Sequence, residues 1–330
     1  MVAVATIVLG VSLGSSTIAL DEVWRTMWAH LVHGDAAEGV PAWTDKVVWL
    51  IRLPRVLLAL VVGAGLSLAG VVLQALVRNP LAEPYLLGIS SVATTGAAVV
   101  IVLGVFAGAA LGLAAGAFVG AMCAVFVVFW VARSAGALNP LRLILSGVAM
   151  GGVFSAVTSF LVLVKGDQDA ARAIMFWTLG SLSSARWAQL AVPAIVVVLA
   201  LAYLLSHAGA LNAIVTGDEQ ALALGVDVQR VRIKMIIVAS LLTGVLVAVA
   251  GVVGFVGLMI PHMVRMTMGA DHYRVLPVAC LAGGVFLVWV DLAVRTVLAP
   301  TEIPLGILTA VIGAPVFIYL MRWHSRREAQ

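Results

Sequence analysis

Long runs of apolar residues recur along almost the whole chain, and they limit its fold more than any other feature of the sequence. Runs of about eighteen residues are long enough for an α-helix to cross roughly 30 Å of hydrocarbon. They are continuous rather than alternating, which excludes a β-barrel. Only 10% of the residues are charged, whereas soluble domains average about 25%. The sequence therefore predicts an all-α polytopic membrane protein, with residues 1–330 forming a single transmembrane domain.

We predict ten spans, and their ends define the two sides of the membrane. The eighth contains Pro261, so nine spans are the alternative. An even number places both termini on one side, and Arg322, Arg326 and Arg327 assign that side to the cytoplasm. Residues 1–20 lack a basic n-region and a cleavage site, which favours a first span over a signal peptide. The predicted spans are about 1–20, 54–77, 86–106, 109–131, 141–164, 189–206, 235–253, 254–268, 276–297 and 303–321.

The stretch 206–235 interrupts the apolar sequence with acids, amides and bases. Thr216 and Glu219 form a Ser/Thr-x-x-Glu pattern, which predicts a capping box at the start of a short helix. Gly225 is placed to end that helix in the left-handed conformation, and Asp227 is placed to begin a second short helix. We interpret the stretch as a cytoplasmic platform for a soluble partner. An ordinary loop between two spans is the alternative.

Two long segments lie on the predicted outer side. Residues 21–53 contain four tryptophans among polar residues, which favours a helix at the membrane surface. Residues 165–188 are amphipathic but too short to span, which predicts a partial helix lining the outer mouth. Near the outer end of the ninth span, Asp291 and Arg295 are one helical turn apart, which predicts an ion pair.

A short string of residues occurs twice and predicts an inverted internal repeat. The sequence of 69–72 recurs at 250–253, and Pro80 has its counterpart in Pro261. The first copy begins at arginines on the predicted outer side, and the second begins at basic residues on the inner side. The two copies would therefore run in opposite directions, as in alternating-access carriers.

Small residues indicate where the helices pack closely. Gly108, Gly112, Gly116 and Gly120 follow a four-residue spacing, which predicts a helix face in close contact with a neighbour. A seam within one chain is favoured over a seam between two copies. Both cysteines lie inside apolar runs and are interpreted as packing residues.

The sequence contains no energy-converting or catalytic site. The spans have no mid-membrane acid of the kind that proton-driven carriers use. None of the three lysines follows the glycine of a phosphate-binding loop, and no nucleophile motif occurs. His262 follows Pro261, and we interpret it as a packing or hydrogen-bonding residue in preference to a metal ligand. We therefore expect no catalytic residue, metal site, bound cofactor or nucleic-acid partner, and we expect a separate motor protein to supply the energy.

Six motifs occur in order along nearly the full chain: RLPR (52–55), NPLAEP (79–84), GDEQALALG (217–225), GFVGL (254–258), EIPLG (302–306) and GAP (313–315). Together they resemble the permease subunits of type II ABC importers, the FecCD-type family. The resemblance implies a ten-helix subunit in the bacterial inner membrane that pairs with a second copy, with the substrate path along the dimer axis. It also implies two subunits that bind ATP and Mg²⁺, a periplasmic binding protein, and haem, ferric siderophores or vitamin B12 as substrates.

The resemblance assigns roles to individual residues. The cytoplasmic gate would include Leu138 and Asn139. Docking of the binding protein would use Arg52, Arg55 and Arg295, where charge pairs set orientation and association rate. Coupling to the ATPase would use Gly217, Asp218, Glu219, Ala221, Leu224 and Gly225.

The substrate path is predicted at Arg172, Phe176 and Trp177. These side chains offer a cation for a propionate and aromatic rings for a porphyrin face, which favours haem over a ferric siderophore or vitamin B12. The alternative of another class is a secondary carrier driven by ions. The lack of mid-span acids argues against that alternative.

Overall fold

A computed structural model of the chain describes residues 1–14, 18–34, 36–104, 110–133, 140–165 and 168–328. These residues form helices joined by turns and short loops. Two helical segments are not α-helical, namely the π-helical Val47–Arg52 and the 3-10 turn Pro84–Leu87. The α-helices are α1 (Val2–Ser12), α2 (Leu20–Val32), α3 (Ala42–Lys46), α4 (Leu53–Val77), α5 (Ile89–Leu103), α6 (Ala110–Arg133), α7 (Pro140–Lys165), α8 (Gln168–Thr178), α9 (Trp187–Ser206), α10 (Ala208–Thr216), α11 (Asp218–Ala223), α12 (Val228–Ala250), α13 (Val256–Met268), α14 (His272–Thr296) and α15 (Leu305–Glu328).

The predicted all-α membrane architecture is confirmed, and each predicted span has a helix. In the described parts of the chain, six helical stretches are long and apolar enough to cross a membrane. Helices α1, α5 and the apolar part of α15 are shorter, and α13 has 13 residues. Pro261 lies inside α13 without ending it, so the eighth predicted span is a separate helix. The six long stretches are Ala42–Val77, Gly112–Val131, Leu141–Val164, Trp187–Ser206, Val228–Ala250 and His272–Thr296.

Helix α4 is the central helix of the molecule. In the most apolar 18 residues of the membrane-spanning stretch that contains it, 83% of the residues are buried. Helix α4 packs against α9, α12, α13 and α14. Glycines allow this close packing, because a Cβ on Gly63 would overlap the carbonyl of Gly283 and one on Gly70 would overlap the carbonyl of Gly257. Around α4, the helices can therefore approach to backbone contact.

Helices α5, α6 and α7 form a second packed group. A Cβ on Gly96 of α5 would overlap the carbonyl of Gly116 on α6, and one on Gly120 would overlap the carbonyl of Val92. The predicted glycine face is thus a seam within the chain at Gly116 and Gly120. Gly108 lies outside the described residues.

The chain is not helical between α12 and α13, and the loop after α4 holds this break. Phe255, at the start of α13, has a left-handed backbone with φ of 67°. Its N–H donates to a carboxylate oxygen of Glu83 at 2.8 Å. The Tyr85 hydroxyl accepts from the N–H of Val253 at 3.0 Å and donates to its carbonyl at 3.2 Å. These bonds satisfy backbone groups that lack helical partners.

The two copies of the repeated string have different local structures. Residues 69–72 lie inside α4, whereas 250–253 contain the end of α12 and the first residues of the break. Pro80 lies in the loop after α4, whereas Pro261 lies inside α13. The string Ala-Gly-Val-Val is thus helical at 69–72, inside the packed α4. At 250–253 most of it is irregular, and the Tyr85 hydroxyl bonds to the backbone of Val253 there.

Candidate functional site

The polar stretch 206–235 folds into α10, α11 and the start of α12, and we call α10 together with α11 the platform. Helix α10 packs against α4 and α14 through Leu211 and Ile214, which are fully buried. The exposed side of the platform therefore belongs mainly to α11. The sequence predicts two short helices in this stretch; the first of them is α11, whereas α10 was not predicted.

The predicted capping box at Thr216 is wrong. Helix α11 begins after Gly217, which has φ of 136° and provides no side-chain cap. The Thr216 hydroxyl donates back to the Ala213 carbonyl at 2.8 Å. Thr216 is the last residue of α10, and a helical threonine bonds to the preceding turn. Glu219 consequently has no threonine cap to complement, and it is exposed.

The predicted end of α11 at Gly225 is confirmed. Gly225 has φ of 79°, and its N–H donates to the Leu222 carbonyl at 2.9 Å. The next N–H, of Val226, donates to the Ala221 carbonyl at 3.0 Å, which completes a Schellman motif. Asp227 caps the following helix by accepting from the Arg230 N–H at 3.0 Å. That helix is the long α12, so the predicted second short helix after Asp227 is wrong.

Asp218 attaches α11 to two long helices. Its carboxylate accepts from Arg232 of α12 at 3.0 and 3.1 Å and lies 3.4 Å from Arg78 at the end of α4. Arg232 is almost fully buried. Because a buried guanidinium needs a partner, Asp218 stabilises the position of α11 as well as its own helix N-terminus.

The exposed side of α11 and of its C-terminal end carries two leucines beside the polar Glu219 and Gln220. Leu222 and Leu224 are 60% and 72% exposed, whereas Ala221 is fully buried. Among the predicted coupling residues, Leu224 and Glu219 are thus accessible to a partner, whereas the buried Ala221 packs inside the protein. The sequence analysis missed Leu222. The signal for it was available, because Leu222 is a second leucine in the same short helical segment, only two residues before Leu224.

A buried cluster of charged residues lies at the opposite end of α4 and α14. Arg55 donates to Asp291 through Nε at 2.9 Å, and its two Nη atoms bind the two carboxylate oxygens of Glu302 at 2.7 and 3.0 Å. Arg295 Nε lies 3.0 Å from Asp291 Oδ2. The predicted Asp291–Arg295 pair is thus present. The sequence analysis did not identify Arg55 and Glu302 as its further members.

The three predicted docking arginines bind groups of their own chain. Arg52 donates to the carbonyls of Val11 and Ser12 at 2.9 and 3.0 Å, and Arg295 also donates to the carbonyl of Gly10 at 3.0 Å. The arginines are only 5%, 5% and 8% exposed at positions 52, 55 and 295. They join α1, α4 and α14 at one end of the molecule. Their role in docking stays a prediction.

Helix α8 contains the predicted substrate-path residues. Arg172 and Phe176 are exposed and lie four residues apart, on one helix face. Trp177 is partly buried against the main core. The structure therefore presents the arginine and one aromatic ring together, and Trp177 points elsewhere. The predicted gate residues Leu138 and Asn139 lie outside the described residues.

The segment 21–53 forms α2, α3 and the π-helical turn, and it exposes aromatic rings. Trp24 and Trp28 stack on α2, with ring centroids 6.3 Å apart, and both are exposed. His30 binds the Asp45 carboxylate at 3.0 Å and stacks on Trp49. In the described part of the chain, no group of three His, Cys, Asp or Glu side chains could hold a metal ion.

Comparison with known proteins gives similarity over nearly the full length. The FecCD transport family matches residues 2–323. The chain is 44% identical over 294 residues to the cobalamin import system permease protein BtuC of Halobacterium salinarum. That alignment covers 86% of this chain and 75% of the relative. It is 38% identical over 327 residues to the hemin transport system permease protein HmuU of Yersinia pestis, with coverage of 94% and 91%.

A third relative and a solved structure extend the comparison. The molybdate import system permease protein MolB of Haemophilus influenzae is 35% identical over 314 residues, with coverage of 95% and 91%. A solved inward-facing conformation of a metal-chelate type ABC transporter superposes with a TM-score of 0.83 at 33% identity. That superposition covers 97% of this chain and 96% of the other.

Proposed function

The chain belongs to the FecCD transport family, and from this membership we propose that it moves a large metal chelate from the periplasm to the cytoplasm, driven by ATP. It is a multi-pass membrane permease of the ABC importer type. In this proposal it works as a homodimer in the bacterial inner membrane with both termini in the cytoplasm. The substrate passes between the two copies by alternating access.

The observation that carries the proposal is the platform. Helix α11 exposes Leu222, Leu224 and Glu219, while Asp218 holds it against α12 and α4. Two exposed leucines on a short helix that is fixed to long helices form a suitable docking surface for a protein partner. We propose that two ATP-binding subunits dock here and hydrolyse ATP with Mg²⁺, so this chain needs no catalytic site or cofactor.

Binding of the cognate ATP-binding subunits to the purified permease tests this role. Leu224→Glu should weaken binding by about tenfold or more, because it places a charge in the centre of the contact. Leu31→Glu is the matched control, since Leu31 is a similarly exposed leucine on α2. Equal affinity of both variants and the wild type would contradict the docking site.

An ion-driven carrier is the alternative of another class. Among the described spans, the fully buried carboxylate of Asp291 is paired with both Arg55 and Arg295. A carboxylate held by two guanidiniums is a poor proton relay, which argues against that alternative. Uptake into proteoliposomes should stop with orthovanadate and persist with a protonophore. The reverse pattern would favour the ion-driven carrier.

Haem is the first candidate substrate, and cobalamin is the second. The exposed Arg172 and Phe176 on one face of α8 offer a guanidinium for a propionate and a ring for a porphyrin. The 44% identity to a cobalamin permease supports the second candidate. Ferric siderophores remain a third option within the same machinery.

Uptake of labelled haemin and labelled cyanocobalamin by the complete importer separates the two candidates. Arg172→Gln should lower haemin uptake about tenfold, because a charge-assisted hydrogen bond to a propionate contributes about 1.5–3 kcal/mol. Arg186→Gln, at the exposed start of α9, is the control. Accumulation of cyanocobalamin without haemin would exclude haem.

Two further contacts complete the proposal. We expect the periplasmic binding protein to dock at the end that contains Arg52, Arg55 and Arg295, where the buried cluster would act mainly by fixing the shape of the surface. We expect the exposed rings of Trp24 and Trp28 to contact membrane lipid at the interface.

A further inference from the structure

Asn212, on α10, binds the first residues of α14 through both ends of its side-chain amide. Its Nδ2 donates to Asp271 Oδ1 at 2.8 Å. Its Oδ1 accepts from the His272 N–H at 2.9 Å, and His272 Nδ1 lies 2.7 Å away. An amide oxygen only accepts, so Nδ1 of His272 is also a donor. Three hydrogen bonds thus connect one side chain of the platform to two consecutive residues.

The His272 end of this link is shielded from water, whereas Asp271 is exposed. His272 is only 2% exposed, and α10 itself is anchored by buried leucine and isoleucine side chains. Asp271 uses the same carboxylate oxygen to cap α14, accepting from the Tyr273 N–H at 3.1 Å. The hydrogen bond from Asn212 lowers the pKa of Asp271, which keeps that carboxylate charged. A shift of α10 relative to α14 would leave buried polar groups without partners.

Asp218 provides a second, independent attachment of the platform. It binds the buried Arg232 of α12 and lies close to Arg78 at the end of α4. Helix α10 is therefore joined to α14, and α11 is joined to α12 and α4. A force applied to the platform reaches all three long helices.

Two of these helices are also joined along their length. Gly63 of α4 and Gly283 of α14 are in backbone contact, and Arg55 binds Asp291 at the far end. Two helices in such contact move together more easily than they slide, because packed interfaces have discrete arrangements. The platform end and the charged end of the molecule are thus linked through α4 and α14.

We propose that Asn212 is a positioning residue that clamps the platform to α14, so that movement of the ATP-binding subunits tilts α14 and α4 as one unit. The clamp rests on the proposed function, because it needs those subunits to dock on the platform. Asn212 is half-buried on α10, whereas the exposed Leu222 and Leu224 lie on α11 and at its C-terminal end. Its loss should therefore separate docking from transmission.

The test uses the complete importer in proteoliposomes, with its cognate ATP-binding subunits and binding protein. Asn212→Leu has similar volume and removes all three hydrogen bonds. Thr267→Val is the matched control, because the Thr267 hydroxyl bonds within its own helix α13, to Val264 at 3.0 Å and Met263 at 3.3 Å. Two quantities are measured: the affinity of the ATP-binding subunits for the permease, and the stimulation of ATP hydrolysis by the binding protein.

We expect Asn212→Leu to keep the affinity and to lose stimulation at least about fivefold, the size of a typical coupling free energy between sites. Thr267→Val should keep both. Undiminished stimulation in Asn212→Leu would overturn the clamp. Failure of the wild-type permease to bind the ATP-binding subunits would instead refute the proposed function, so the two failures are distinct.

A reciprocal exchange guards against simple misfolding. N212D alone places two carboxylates in opposition and should lose stimulation. The double variant N212D/D271N again places one donor opposite one acceptor, but the amide nitrogen takes the place of the oxygen that accepts from the Tyr273 N–H, so it should recover only part of the stimulation. If the double variant remains as low as N212D while melting at the wild-type temperature, the clamp is refuted.

Discussion

At the scale of single residues, Asp291 is the buried anion on which the charged cluster depends. It is fully buried, and its carboxylate serves Arg55 and Arg295, which belong to different helices. A buried pair adds little net stability when compared with apolar residues, but removal of one member leaves an uncompensated charge. The cluster therefore makes its members hard to substitute one at a time.

We predict that Asp291→Asn lowers the free energy of unfolding by about 3–5 kcal/mol, because both arginines then lose their buried anion. Thermal unfolding of the purified permease in detergent measures the effect. Glu302→Gln is the control, since the Glu302 side chain is 39% exposed and water can compensate its loss. Equal changes in the two variants would argue against a buried role for Asp291.

Glu83 gives a prediction that depends on pH. Burial raises the pKa of Glu83, so folding favours its protonated form. The stabilising contribution of that form is full below the unfolded carboxyl pKa of about 4.3 and is lost as the pH rises through the folded pKa. Glu83→Gln keeps an acceptor for the Phe255 N–H and does not titrate.

The melting temperature of Glu83→Gln minus that of the wild type should therefore increase as the pH rises from about 4.3 to 8. A thermal shift series in detergent at constant ionic strength measures this difference. Glu38→Gln, at an exposed position, is the control. A difference for Glu83→Gln that does not change with pH would disprove the burial effect.

At the scale of helices, contacts between glycines set how closely α4 and α14 approach. A Cβ on Gly283 would overlap both the Ser67 hydroxyl and the Gly63 carbonyl. The Ser67 hydroxyl can turn to another rotamer, but the Gly63 carbonyl belongs to the backbone and cannot move aside in that way. The position of α14 against the central helix therefore depends on the absence of a side chain at Gly283.

Gly283→Ala should lower stability by about 1–3 kcal/mol through overpacking. Gly152→Ala is the matched control, because a Cβ there meets nothing within 4 Å and the backbone is helical. Alanine should be neutral or slightly stabilising at that position. Thermal unfolding of the two variants side by side is the measurement. Similar losses in both would show that the α4–α14 contact can adapt.

At the scale of the whole molecule, burial is distributed very unevenly. In the most apolar 18 residues of the α4 stretch 83% of the residues are buried, whereas in the corresponding part of α7 only 6% are. Leu145, Val153 and Phe160 of α7 are among its exposed apolar side chains. In the proposed homodimer a second copy covers part of this surface, as a two-fold interface presents the same face of each subunit.

Single cysteines at Leu145, Val153 and Phe160 test this arrangement in a variant without Cys123 and Cys280. At least one should give an oxidised dimer in membranes, visible as a band of twice the subunit mass. Val198→Cys on α9 is the control, since Val198 is equally apolar and exposed. Crosslinking only at Val198 would place the interface elsewhere.

The sequence by itself determined the class of the protein, the presence of a helix at each predicted span and some of its local contacts. Continuous apolar runs allow only helices in a membrane, because every backbone group must be paired internally. The Gly225 cap and the Asp291–Arg295 pair were predictable because helix geometry alone relates residues a few positions apart. The family motifs added the kind of transporter.

Only the tertiary structure decided which distant residues meet. Arg55 binds Asp291 across 236 positions, and Asn212 binds Asp271 across 59. It also decided that Thr216 ends α10 and does not cap α11. Such pairs depend on how glycine-lined helices settle against one another, and spacing along the chain contains no information about that arrangement.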